Sequence, residues 1–107
     1  MAFEPAFAQA VNGVFGERLA RARRVRNVSQ RDLALRVGVS RATIANLEGG
    51  KQNVQLHQVF AFAAILDVQP EELIPTMPEL SPNPTSTDQL FLEITKAHLT
   101  AVIGGQK

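Results

Sequence analysis

The sequence contains no cysteine, and its two histidines stand far apart in the chain. Without cysteine, neither a disulfide framework nor a thiolate metal site can form. His57 and His98 do not belong to any cluster that would suggest metal binding or general-base chemistry. We therefore predict a protein without a metal site, without a cofactor and without enzymatic activity.

Long apolar runs are also missing. No stretch approaches the roughly 20 residues that cross a bilayer, and no signal peptide is evident at Met1. We expect a soluble, cytoplasmic protein. The 107 residues suffice for about one domain with one modest core.

The net charge of +1 conceals an uneven distribution. Residues 1–55 contain nine Lys and Arg against four Asp and Glu, whereas residues 56–107 contain two against six. A basic half beside an acidic half is typical of a protein with a nucleic-acid face on one side.

Residues 29–51 hold two short helix patterns joined by a tight turn. Ser29 is a good N-cap, and Asp32 three residues later can satisfy a second free backbone N–H. The first helix should begin at Gln30 with Leu33 on its apolar face. Gly38 should end it, since glycine adopts the left-handed conformation without a Cβ penalty.

Ser40 is a second N-cap, and it predicts a helix from Arg41 to about Glu48. Ile44 and Leu47 should face inward. The outward positions are Arg41, Ala42, Thr43, Ala45 and Asn46. So short a turn forces the two helices to cross at a large angle, which is the helix-turn-helix arrangement.

This stretch strongly resembles the Cro-and-repressor type helix-turn-helix family, which includes xenobiotic-response-element-like (XRE) regulators. The matching residues are Arg23, Gln30, Leu33, Ala34, Gly38, Val39, Ser40, Ile44, Leu47, Glu48 and Lys51. The resemblance covers roughly residues 15–74. It implies an all-α, five-helix, lambda-repressor-like domain over residues 15–75, and a transcriptional repressor that binds a palindromic double-stranded DNA operator as a homodimer.

The resemblance also assigns roles to side chains. Base contacts fall on Arg41, Ala42 and Asn46, because Arg can grip guanine, Asn can grip adenine and Ala can touch a thymine methyl. The expected phosphate contacts are Gln30, Ser40, Thr43, Lys51 and Gln52. Arg23 should form a structural ion pair with Glu48, tying the first helix to the recognition helix.

Two further helices should complete the domain. A helix from Leu56 to Leu66 should close the core, and Pro70 should open a last short helix. The side chains expected to face the core are Leu56, Val59, Phe60, Ala63, Ile65 and Leu66.

We expect residues 1–14 to form a helical extension outside the resemblance. Asn12 and Gly13 should interrupt or bend its pattern. Two interpretations stay open: a short helix covering the core, or a dimerisation element using Phe3 and Phe7.

The proline-rich composition of residues 76–86 predicts an extended linker. A final helix over residues 87–103 should follow, with apolar residues on two opposite sides. One side suits its own domain and the other a second subunit, although packing within the chain is the alternative. The expected dimerisation residues are Leu90, Phe91, Ile94, Leu99 and Val102.

An interaction module of the same fold, such as the antitoxin partner of a toxin, is the alternative function. The outward face of Arg41 to Asn46 distinguishes the two functions. A surface that binds protein should be more apolar than Arg, Ala, Thr and Asn.

Overall fold

The structure is a computed structural model, and it describes residues 5–80. The described part is helical, and no strand occurs in it. The elements are α1 Pro5–Val25, α2 Gln30–Val37, α3 Arg41–Glu48, α4 Leu56–Leu66, α5 Pro70–Leu73 and a 3-10 helix Met77–Leu80. The five α-helices belong to one compact unit that ends at Pro75, and a second unit begins at Thr76. The predicted all-α, five-helix class is confirmed.

The caps that the sequence predicted begin α2 and α3. Ser29 Oγ accepts a hydrogen bond from Asp32 N at 2.9 Å, and Ser40 Oγ accepts one from Thr43 N at 3.0 Å. Gly38 ends α2 at φ 86°, a left-handed conformation that glycine tolerates. Three residues therefore connect α2 to α3, so local chemistry fixes where both helices begin and end.

Asp32 does not act as a reciprocal cap. Its carboxylate lies 3.0 Å from Arg36 Nη2, one helical turn onward. Asp is one methylene shorter than the Glu or Gln of a capping box, which favours this partner over the backbone N–H of Ser29. The predicted second cap is therefore wrong, although the helix begins where expected.

The predicted interruption at Asn12 and Gly13 is also wrong, because α1 runs unbroken from Pro5 to Val25. Both residues instead meet the loop that follows α3. Asn12 Nδ2 donates to Asn53 Oδ1 at 2.7 Å, and a Cβ on Gly50 would lie 3.1 Å from Gly13 Cα. The close approach restricts Gly50, since a Cβ on Gly13 itself would meet nothing within 4 Å. The boundary expected between residues 14 and 15 therefore falls within a continuous helix.

The core lies where α1 to α5 converge. Its buried apolar residues are Phe15, Leu19, Leu33, Ala34, Ile44, Leu47, Val59, Phe62, Ala63, Leu66 and Leu73. The rings of Phe15 and Phe62 join α1 to α4 with centroids 6.2 Å apart and planes tilted by 45°. Tilted aromatic pairs at this distance are favourable.

The predicted core face of α4 is partly wrong. Phe62 is fully buried, whereas Leu56 and Phe60 are 71% and 57% exposed. The apolar residues of α4 surround most of the helix, so periodicity alone cannot say which side faces inward. Packing against α1, α2 and α5 selects the Val59–Phe62–Leu66 side.

The 3-10 helix Met77–Leu80 replaces the beginning of the predicted extended linker. Glu79 Oε2 accepts from Thr76 N at 3.0 Å, and Glu79 N donates to Thr76 O at 3.1 Å. These two bonds hold the turn closed. Phe3, the rest of the predicted linker, and the predicted helix over residues 87–103 with its dimerisation residues lie outside the described residues.

Candidate nucleic-acid interface

The outer face of α3 is exposed and polar. Ile44 and Leu47 are fully buried, so the opposite side of this helix is left to solvent. Arg41, Ala42 and Asn46 are all exposed there. Ala42 and Asn46 lie about one turn apart, while Arg41 opens the helix. The three expected base-contact residues therefore remain accessible to a ligand.

Ser40 and Thr43 bond to each other at the N-terminus of α3. Their hydroxyl oxygens lie 2.9 Å apart, and Ser40 Oγ also accepts the Thr43 backbone N–H. The mutual bond uses one of the two hydroxyl protons. The other proton remains available to a phosphate oxygen, which can only accept.

Gln30 is half-buried, and its amide is already oriented by a neighbour. Its Nε2 donates to Glu48 Oε1 at 3.0 Å. A side-chain amide nitrogen carries two hydrogens, so one remains for a further acceptor. Gln30 also opens α2, where the first backbone N–H groups have no acceptor within the helix. This combination suits a phosphate.

The end of α3 sets the position of Lys51 and Gln52. Gly50 N donates to Leu47 O at 3.2 Å, and Lys51 N donates to Asn46 O at 2.9 Å. With Gly50 at φ 71°, these bonds form a Schellman motif. Lys51 and Gln52 follow it directly, and both are exposed.

Arg23 and Glu48 connect α1, α2 and α3 beneath this surface. Arg23 Nε and Nη2 donate to the two carboxylate oxygens of Glu48 at 2.6 and 3.0 Å. Arg23 Nη1 donates to Val28 O at 2.9 Å, and Gln30 also donates to the carboxylate. The hydrogen bond and charge of Glu48 raise the pKa of Arg23, against the opposing effect of burial. The pair holds the end of α3 in place.

Arg31 was not among the residues expected from the sequence. It is exposed beside Gln30 at the start of α2. Within residues 5–80, Arg31, Arg41 and Lys51 form no ion pair, whereas Arg36 pairs with Asp32. The sequence alone could have identified Arg31, because it lies next to Gln30, which was already expected to contact phosphate at a helix N-terminus.

Other site chemistries find no support among residues 5–80. No group of three or more His, Cys, Asp or Glu in that range is placed to hold a metal ion. No helix in the same range is long and apolar enough to cross a membrane.

A family model described as a helix-turn-helix domain matches residues 14–74. The restriction-modification controller protein C.AhdI from Aeromonas hydrophila is 35% identical, with a TM-score of 0.56 over 59% of this chain and 96% of that chain. The hypothetical transcription factor NHTF from Neisseria is 25% identical, with a TM-score of 0.59 over 67% of this chain and 83% of that one.

A third solved structure resembles the chain in fold. The clp gene regulator ClgR from Corynebacterium glutamicum is 19% identical, with a TM-score of 0.57 over 89% of this chain and 92% of that one. The curated protein sequences contain no match to this chain.

Proposed function

Because the chain belongs to the helix-turn-helix domain family, we propose that it is a transcription regulator of the XRE type, a repressor that binds a palindromic DNA operator as a homodimer. The exposed face of α3 carries this proposal. That face offers Arg41, Ala42 and Asn46. The cationic side chains of Arg31 and Lys51 have no acidic partner in the described part of the chain.

Direct readout is assigned to three side chains. Arg41 donates two hydrogen bonds to a guanine, Asn46 pairs with an adenine edge, and Ala42 contacts a thymine methyl. An α-helix fits the major groove of B-DNA, where these patterns differ between base pairs. The polar character of the face also favours DNA over a toxin or other protein, whose interface core would be more apolar.

Phosphate contacts fix the register of α3 in the groove. We assign them to Gln30, Ser40, Thr43, Lys51 and Gln52, and we add Arg31. The spare protons of Gln30 and of the Ser40–Thr43 pair suit phosphate oxygens. Lys51 and Arg31 contribute charge, and their contacts release counterions and make binding depend on salt.

We propose a dimer because a single recognition helix is too small to bind DNA tightly and specifically. One small module buries a limited DNA surface, and two half-sites about 34 Å apart give tight, specific binding to a symmetric pair. The solved relative from Aeromonas hydrophila is a restriction-modification controller protein, and the one from Neisseria is a hypothetical transcription factor. Both descriptions are compatible with the regulatory role proposed for this chain, which we place in the cytoplasm.

Selection from random duplex DNA tests the proposal. The purified full chain is mixed with a random pool, and bound duplexes are recovered by gel shift and sequenced. We expect one inverted-repeat sequence with half-sites spaced by one helical turn. Enrichment of a single unrepeated site would contradict the dimer, and no enrichment at all would contradict sequence-specific binding.

Two variants serve as controls in this selection. The double substitution Arg41→Ala with Asn46→Ala should abolish enrichment. Arg24→Ala removes a similar charge from α1, which contributes no residue to the proposed interface, and should leave the selected sequence unchanged.

A further inference from the structure

The loop between α3 and α4 lies against the N-terminal part of α1. An ideal Cβ on Gly50 would be 3.1 Å from Gly13 Cα and 3.3 Å from Gly13 N, so the two backbones are in close contact. Three residues later, Asn12 Nδ2 donates to Asn53 Oδ1 at 2.7 Å. The loop therefore meets α1 at two points.

Lys51 and Gln52 lie between these two points, and both are exposed. They are the loop residues that we assign to DNA phosphates. Their side chains form no hydrogen bond or ion pair with residues 5–80, so the backbone that carries them sets where they can reach. Contacts at Gly50 and Asn53 restrict that backbone on both sides.

The remaining bonds of the loop fix only its start and its end. Lys51 N donates to Asn46 O at 2.9 Å at the start. At the end, Val54 packs against the core and Gln55 N donates to Gln58 Oε1 at 3.0 Å. Within the described residues, the bond from Asn12 is the one that holds the stretch between them.

The supporting residues lie outside the part of the chain that matches the family model. That match begins at residue 14, whereas α1 already begins at Pro5. Because α1 is continuous, its first part is attached directly to Phe15 and Leu19, which are buried in the core. A helix anchored in this way can hold a neighbouring loop in one position.

We propose that residues 5–13 of α1 support the DNA-contacting loop, and that Asn12 is a positioning residue that holds Lys51 and Gln52 toward DNA phosphates. This inference rests on the proposed function, since it concerns the same interface. Asn12 acts through Asn53 and does not touch DNA itself. When the bond is lost, binding must order a freer loop, which weakens binding to every sequence alike.

The first test uses the full chain without DNA. In ¹⁵N-labelled Asn12→Ala, we expect amide chemical shifts to change and heteronuclear NOE values to fall at residues 50–54. Gln9→Ala is the matched control, because it removes an exposed amide side chain from α1 about one turn earlier. It should leave the loop unchanged. An unchanged loop in Asn12→Ala would overturn the support by α1, whether or not the chain binds DNA.

The second test measures DNA affinity. Asn12→Ala should weaken binding to the operator and to unrelated DNA by about threefold to tenfold, the equivalent of one neutral hydrogen bond. Asn53→Ala breaks the same bond and should cause a similar loss, and the double variant should lose no more than either single one. Gln9→Ala should bind as the unaltered chain does.

A coupling measurement separates positioning from a merely structural role. In a chain that already carries Lys51→Ala and Gln52→Ala, the further change Asn12→Ala should cost less than about twofold, because the side chains that it positions are gone. The same loss in both backgrounds would overturn the positioning role, and so would a loss confined to the operator. Absence of DNA binding by the unaltered chain would instead defeat the proposed function and the positioning role with it, whatever the amides show.

Discussion

At the scale of single residues, Gly16 sets how closely α1 approaches the recognition helix. An ideal Cβ on Gly16 would lie 2.3 Å from Leu47 O and 2.6 Å from Glu48 O. Both are backbone atoms, which cannot turn aside as a flexible side chain can. The two helices therefore meet at a distance that only glycine allows.

We predict that Gly16→Ala lowers the free energy of unfolding by about 1 to 3 kcal/mol, because α1 and α3 must separate. Gly13→Ala is the matched control in the same helix, since its Cβ would meet nothing within 4 Å. That control should be neutral or stabilise by up to about 1 kcal/mol through helix propensity. Urea denaturation measures both, and similar changes in the two variants would contradict the close approach.

Arg41 provides the residue-scale prediction for specificity. Arg41→Ala should cost about 1 to 3 kcal/mol on the selected operator and relax the preference at one base pair. Stability should change little, because Arg41 is exposed. Binding titrations on the operator and its single-base variants measure the effect. An unchanged base preference would remove Arg41 from direct readout.

At the scale of elements, the ion pair of Arg23 and Glu48 joins three helices. The two side chains are 12% and 7% exposed, so each is largely removed from water. Glu48 also receives Gln30, and through it the start of α2 is linked to the end of α3. Burial of charge is tolerated here because no buried side-chain N or O atom among residues 5–80 lacks a hydrogen-bond partner.

Glu48→Ala should destabilise the fold by about 3 kcal/mol, since it leaves the Arg23 guanidinium buried without its partner. The double variant Arg23→Met with Glu48→Met should recover part of this loss, because no charge then remains to be desolvated. Thermal and urea unfolding of the single and double variants measure the coupling. A double variant less stable than Glu48→Ala would refute this account.

Lys51 tests whether the loop that follows α3 contacts DNA phosphates. Lys51→Ala should weaken binding to operator and unrelated DNA alike, and lower the salt slope by about one unit. Arg21→Ala removes a charge from α1, outside the proposed DNA interface, and should leave the salt slope unchanged. Affinities are measured over a range of salt concentrations. Loss confined to the operator, with the slope intact, would place Lys51 on a base.

At the scale of the whole molecule, the proposed dimer assigns a role to the last part of the chain. The five α-helices and their core lie before Thr76. Deletion of residues 86–107 should therefore leave a folded helical domain. If residues 87–103 form the dimer contact, the truncated protein should sediment as a monomer and bind the operator much more weakly.

A truncated protein that still sediments as a dimer at micromolar concentration would contradict this prediction. The exposed Leu56 and Phe60, one turn apart on α4, would then be the first contact to examine. Leu56→Ser with Phe60→Ser would test it, because both side chains lie outside the core.

The sequence by itself determined the features that depend on neighbours along the chain. Ser29 and Ser40 cap the helices that they precede, and Gly38 ends α2, because each effect acts within one helical turn. Asn27, which follows α1, has φ 57°, a left-handed conformation that asparagine tolerates better than most residues. The exposure of Arg41 and Asn46 followed from the burial of Ile44 and Leu47 on the opposite side.

Only the tertiary structure decided which side of α4 faces the core and whether α1 continues through Gly13. Phe60 and Phe62 are equally apolar, and their burial differs because α1, α2 and α5 pack on the side of α4 that carries Phe62. Gly13 resembles a helix breaker in the sequence, yet α1 continues through it and lies close to Gly50 of the loop after α3. The bond between Gln30 and Glu48 likewise joins residues far apart in sequence, whose proximity no local pattern encodes.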